Sequence, residues 1–321
     1  MLVYVVRRLV WALMLCLTLS LVTFIIFYVI PTNRVRIRGG AFTDITTASD
    51  LNGTLIEQYG QFVWHALHGS LGRSFTNRRE VTDILIDAAP VTISLTLGAA
   101  VLWMLIAVPV GVLAAMRPRS GLDRSATALV LIGLSVHPLW LGLLLSRFVG
   151  YDLGLLPGSG YCDLINPSTQ CGGPVQWFTH LILPWITFAF VFAAMYVRMI
   201  RASVTETLQE DHVRSARSKG LSEWGVVRRH VMPVAVLPIV AMLAMDIGRF
   251  ALPTAVFVET VFGLPGMGKV LYDSIQRNDL PVLVGFVVFT SLTIVVLTLI
   301  ADLVHAMLDP RVKLRAEAVP A

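Results

Sequence analysis

Charge is what this 321-residue sequence has little of. Asp, Glu, Lys and Arg make up 14% of it, where soluble domains carry about a quarter. With 56% hydrophobic residues and a mean hydropathy of +0.75, that scarcity excludes an ordinary water-soluble enzyme. Cysteine is scarce too: Cys16 lies in an apolar run, and only Cys162 and Cys171 share a loop. These two can form a disulfide or stand as free thiols; no His lies between them, and metal ligation needs more ligands than the loop offers. There is no H-E-x-x-H and no cysteine cluster, so the chain is expected to be non-catalytic and to hold no metal. Gly263-Leu264-Pro265-Gly266-Met267-Gly268-Lys269 fits the spacing of a phosphate loop. Val270 stands where Ser or Thr must hold magnesium, so a turn is the expected structure there.

What is present is arranged in apolar blocks. Leu9 to Ile30, Ala88 to Met116, Ser125 to Ser146, Val175 to Val197, Val231 to Val258 and Leu280 to Ala301 are each long enough to cross a hydrocarbon core of about 30 Å as a helix. Six crossings are expected. His137-Pro138 marks a kink in the third. The first block is read as a retained anchor, because Tyr28-Val29-Ile30-Pro31 lacks a small-x-small cleavage site.

The formal net charge of +5 could point to nucleic acid, but its placement decides otherwise. Most of the 25 Lys and Arg fall on the side holding Arg7, Arg8, Arg117, Arg119, Arg124, the stretch from Arg198 to Arg229, and Arg311 to Arg315. The loop from Gly150 to Pro174 has none. The positive-inside rule then puts both termini in the cytoplasm and needs no nucleic-acid partner. Residues 31–87 form an insert on the outer side, with balanced charge and with Tyr59, Phe62, Trp64 and Phe75 for packing.

Between the fourth and fifth spans the sequence reads as helix, break, helix. Val204, Leu208, Val213, Ala216 and Leu221 make an apolar stripe, Gly220 ends the first piece, and Ser222 with Glu223 opens the second. Trp224, Val227 and Val231 follow, beside Arg228 and Arg229. Such a pair either lies on the membrane surface or docks a protein, and the interleaved acids favour docking. Inside the fifth span Asp246 and Arg249 share a helix face at i,i+3. They form either part of a translocation pathway or a structural ion pair, since a lone charge there costs about 2.5–3.5 kcal/mol.

Several of these stretches carry a family resemblance. Arg214-Ser215-Ala216-Arg217-Ser218-Lys219-Gly220 followed by Met232-Pro233 resembles the EAA loop of ABC-importer permeases, in the dipeptide and oligopeptide branch. Gly69 to Phe75, His180 to Pro184, Tyr196 to Arg201, Glu259 to Phe262, Pro265 to Gly268 and Asp279-Leu280-Pro281 are similar to that branch's patterns in the same order.

The resemblance implies an all-α integral membrane protein with the six-helix type I importer (MetI-like) permease fold and an extracytoplasmic insert after the first helix. Its boundaries would be an N-terminal helix at 1–30, the insert at 31–87, a core at 88–308 and a cytoplasmic tail at 309–321. It implies a multi-pass subunit of a bacterial inner membrane, paired with a second homologous permease. Two cytoplasmic ATPases would carry ATP and Mg2+, and an extracytoplasmic binding lipoprotein would deliver a peptide; nickel chelates or glutathione are the alternatives within the branch. Residues 201–233 become the coupling segment. Ala216 and Gly220 would let the ATPase approach closely, Leu221 and Trp224 would enter its groove, and Arg214, Arg217, Glu223 and Arg228 would set register. A proton-coupled secondary transporter built on Asp246 and Arg249 is the competing class, and it lacks the expected internal repeat.

Overall fold

The computed structural model describes residues 2–25, 35–36, 42–43, 54–164, 171–247 and 252–308. They form two compact units, one from the residues up to Ile93 with Leu264–Leu299, the other from Ser94–Gly263 with the residues from Ile300 on.

The first unit begins with helix α1 (Leu2–Phe24) and a short antiparallel pair, β1 (Val35–Arg36) with β2 (Phe42–Thr43). Helix α2 (Leu55–Leu67) starts at a capping box, in which Thr54 Oγ1 accepts from Glu57 N and Glu57 returns a carboxylate to Thr54 N. Phe24 and Phe62 bury together with Val284, and Tyr59 Oη lies 2.9 Å from Ser20 Oγ. Helix α3 (Val81–Met116) starts seven residues before the apolar block predicted from the sequence. Asp83 and Asp87 lie in its first turns, where they face the positive end of the helix dipole, and Asp87 also bonds Arg79 at 2.7 Å. Charge marks where an apolar span ends without ending the helix.

After α10 (Leu252–Phe262), which belongs to the second unit, α11 (Met267–Arg277) and α12 (Leu280–Leu308) as far as Leu299 complete the first. A Cβ on Gly285 would overlap the Val81 side chain, so only glycine lets α12 lie against the start of α3. Between α11 and α12 the buried Asp279 carboxylate accepts from Ser74 Oγ at 2.5 Å, Phe75 N at 3.0 Å and Thr76 N at 3.2 Å. Two of the family-like stretches, some 200 residues apart, thus meet at one carboxylate.

The second unit carries the rest of α3, then α4 (Gly121–Ser135) and α5 (Pro138–Leu145). The α4 axis and the helical stretch Pro138–Asp152 meet at 98°, a sharper break than a kink. Pro138 has no N–H to continue α4 and drives His137 into extended backbone, while His137 Nδ1 caps the new helix by accepting from Leu139 N at 3.2 Å. A π-helical stretch, Ser146–Asp152, ends that arm. Helix α6 (Pro174–Thr207) packs closely on its neighbours through small residues. Gly98 of α3 leaves the space that the Trp185 indole fills, and Gly133 of α4 sits against Ala194. Trp103 is fully buried in an aromatic layer, its centroid 4.7 Å from Phe192 and 6.1 Å from Phe188, both nearly parallel.

By length and composition, Val81–Met116, Pro174–Thr207 and Leu280–Ile300 can each cross a membrane. Gly121–Ser135 with Pro138–Asp152, and Pro253–Phe262 with Met267–Arg277, qualify only as pairs joined across a break; counting each pair as one span gives at most five among the described residues. Of the six apolar blocks expected to cross, Pro138 divides the third, while the Gly263–Gly266 turn falls between the fifth and sixth, where a turn was expected.

Candidate functional site

The polar segment after α6 is folded from end to end. Helix α7 (Asp211–Ser218) carries Asp211 in its first turn and Arg217 in its last, both favourable to its dipole. Val213 and Ala216, three positions apart, are its buried face. Gly220 follows at φ +79, the left-handed backbone that ends a helix, and its N–H reaches Arg217 O at 2.9 Å. A Cβ there would meet nothing within 4 Å, so the glycine is required by conformation. Ser222 Oγ then accepts from Gly225 N at 3.3 Å and starts α8 (Glu223–Val226).

No loop follows. A π-helical turn, Val227–Val231, runs directly into α9 (Met232–Asp246), with Val226, Val227 and Val231 buried. Arg217 forks onto Glu223 across the break, Nε to Oε1 at 3.0 Å and Nη2 to Oε2 at 3.1 Å. His212 Nε2 lies 3.2 Å from His230 O, which ties α7 to the π turn. Since a carbonyl only accepts, that nitrogen carries the proton.

Of the residues expected to couple, Ala216 is buried inside this chain, while Gly220 is exposed and shapes its own turn. Arg217 and Glu223 pair with each other and both stay exposed, at 39% and 61%. Trp224, 59% exposed, and Leu221, 38% exposed, stand on the surface with exposed Arg214 and Arg228. Arg214 keeps a loose 3.6 Å contact with Asp211. This is an apolar knob with a mostly cationic surround on a rigid base, which suits it to docking.

Inside the second unit the buried Asp246 accepts from Tyr196 Oη at 2.8 Å, joining α6 to α9. Tyr196 also lies against Trp103, with ring centroids 5.9 Å apart. Arg249, the predicted partner of Asp246, lies outside the described residues. Cys162 and Cys171 are joined by a disulfide with Cα atoms 5.3 Å apart, and Gly173 N donates to Asp163 O beside it. At the phosphate-loop look-alike, Met267 N donates to Thr92 Oγ1 at 2.8 Å and Lys269 lies 3.5 Å from Asp273. That helix start is occupied by the chain itself. Among the described residues no three His, Cys, Asp or Glu gather as metal ligands would.

The sequence reading missed one constellation. Arg201, near the end of α6, pairs with Asp123 of α4: Nη2 donates to Oδ2 at 3.0 Å, and Nε lies 2.6 Å from Oδ1 without the alignment of a hydrogen bond. The sequence reading counts Arg201 only among the basic residues of one side and in the family-like stretch Tyr196 to Arg201, and it does not single out Asp123.

Long apolar helices, two helix pairs joined across a break, and a folded polar segment between α6 and α9 define a multi-pass helical membrane protein. Residues 107–314 match the family described as "Binding-protein-dependent transport system inner membrane component", and residues 1–96 match its N-terminal companion. The chain belongs to that family of transport-system inner membrane components. It is 31% identical over 337 residues to the dipeptide transport system permease protein DppB of Escherichia coli K12, covering 98% of this chain and 99% of that one. It is 34% identical to the probable D,D-dipeptide transport system permease protein DdpB of the same organism, covering 96% and 97%. Among solved structures, the inward-facing MetNI methionine ABC transporter shares the fold with a TM-score of 0.53 at 17% identity, over 70% of this chain and 96% of that one.

Proposed function

We propose that this chain is one of two homologous permease subunits of an ATP-driven importer of di- or oligopeptides. The observation that carries the reading is the nearly end-to-end relationship to permeases named for dipeptide transport. Both termini and the segment 201–233 face the cytoplasm, in keeping with the placement of Lys and Arg. The insert 31–87 and the Cys162–Cys171 loop face outward, where an extracytoplasmic binding lipoprotein delivers the substrate. The helix 1–30, the core 88–308 and the tail 309–321 divide the remaining chain. Two separate ATPases bind and hydrolyse ATP with Mg2+.

In this reading Trp224 and Leu221 enter an apolar groove of an ATPase, and Arg214 and Arg228 fix the approach. Motion of the ATPases then presses on α8. Because α8, the π turn and α9 are one helical rod, a push at Trp224 reaches the membrane without being absorbed by a loop. Asp246 and Tyr196 hold α6 to that rod as a polar clasp.

The test is uptake into proteoliposomes holding both permeases and both ATPases, with the binding protein outside and radiolabelled dialanine as probe. Uptake should need internal ATP and survive a protonophore. Uptake driven by a proton gradient without ATP would overturn the importer reading. Stronger competition by a nickel chelate or glutathione than by peptides would overturn the peptide assignment.

A further inference from the structure

The Asp123–Arg201 pair is built more tightly than a membrane-edge charge needs. Asp123 Oδ2, besides its bond to Arg201, accepts from Arg119 N at 2.9 Å. The Asp123 N–H donates to Ser120 Oγ at 3.2 Å, and the Asp123 carbonyl accepts from Thr127 Oγ1 at 2.8 Å. Arg119 reaches its position with φ +62, a backbone region that side chains other than glycine adopt at a cost. The turn between α3 and α4 is thus shaped around one carboxylate.

That carboxylate is bonded to the last part of α6, just before the polar segment. Further along the same contact, Gly133 of α4 touches Ala194 and Gly111 of α3 touches Ile200, each with too little space for a Cβ. The three helices have no slack between them. The two partners also differ in exposure. The Asp123 side chain is 9% exposed and that of Arg201 is 41% exposed. Removing Arg201 therefore strands a buried charge, whereas removing Asp123 leaves a guanidinium that water can reach.

We infer that Asp123 is a positioning residue for energy coupling: its pair with Arg201 makes the α3–α4 turn move with the root of the docking segment, so that a push on Trp224 carries α4 as well as α6. This rests on the reading that the segment docks an ATPase. Arg201→Gln is then more harmful than Asp123→Asn, and the double variant is no worse than Arg201→Gln alone, because both changes break one device.

The experiment uses the assembled transporter in nanodiscs, with spin labels at Ser125→Cys and Ser215→Cys in a Cys16→Ser background. Distances are read by double electron–electron resonance with and without ATP and vanadate. In the otherwise unaltered chain the label separation should change by no more than about 2 Å, the scale of a helix shift. In Asp123→Asn and Arg201→Gln it should broaden and move between states. Radiolabelled dialanine imported per ATP should fall by about tenfold in Arg201→Gln and by less in Asp123→Asn, at equal amounts of assembled transporter. A change of about one helical turn in the unaltered chain, roughly 5 Å, overturns the inference whether or not the variants assemble. So does an unchanged ratio of peptide to ATP in both single variants. ATP-independent uptake by the unaltered transporter would overturn instead the reading on which the inference rests.

Discussion

Trp224→Ala separates a docking residue from a packing residue. The side chain is 59% exposed in this chain, whereas Val226 and Val227, which follow it, are buried. An indole buries about 150–250 Å² when fully enclosed, so on the order of 100–150 Å² remains for a partner to cover. At about 25 cal/mol per Å² this amounts to roughly 2.5–3.8 kcal/mol, or about 70- to 600-fold in Kd. Folding stability should change by only about 0.5 kcal/mol, as for an exposed site. The assay is binding of the purified ATPase subunit to the permease in nanodiscs, read by biolayer interferometry, with thermal unfolding of the same samples as the control. A Kd within twofold of the unaltered protein would refute the docking role. A large drop in Tm with unchanged Kd would show that Trp224 is held by its own chain.

Glu223→Arg removes the acceptor of Arg217 and places two like charges across the Gly220 turn. ATP hydrolysis should continue while uptake falls, and wild-type coupling in this variant would contradict the rigid-base account. Gly98→Leu forces a side chain into the volume of the Trp185 indole, an overpacking that costs about 1–3 kcal/mol; thermal unfolding in detergent should register it. Asp279→Ala leaves the buried Phe75 N–H without its acceptor, at about 1–3 kcal/mol, and hydrogen exchange at residues 74–76 should speed up first. Glu80 is bonded to Arg73 and Ser70, which hold its carboxyl below the ordinary range, the Arg73 hydrogen bond contributing most. Its contribution is therefore present above the ordinary carboxylate pKa and lost as pH falls through the lowered one. Glu80→Gln should flatten that acid-side loss in unfolding curves.

The elements of this protein that are local in sequence were legible in it. The break at Pro138, the left-handed stop at Gly220 and the Ser222 cap each follow from a residue's own backbone preference. The buried face of Val213, Ala216 and Val231 follows from helical spacing. Pairs that depend on tertiary contact were not. Asp123 and Arg201 are 78 positions apart, and as single charges they look like any other residues at a membrane edge. Tyr196 gives no sign in sequence that its hydroxyl faces Asp246, 50 positions on. Arg217 and Glu223 lie six apart across a helix break, a spacing outside the i,i+4 rule, so the sequence left them free for a partner. The start of α3 at Val81 was hidden because Asp83 and Asp87 read as the edge of the bilayer.

The Asp279 junction also sets a schedule for biogenesis. Phe75 leaves the ribosome 204 residues ahead of the carboxylate that accepts its N–H. At roughly 5–20 residues per second, that is an interval of about 10–40 s in which the early turn has donors and no acceptor. The first unit is closed only when the last span arrives, so a chain interrupted before Asp279 cannot complete it. Unfinished copies therefore differ from finished ones at the Ser74–Thr76 turn, where a membrane quality-control protease could tell them apart.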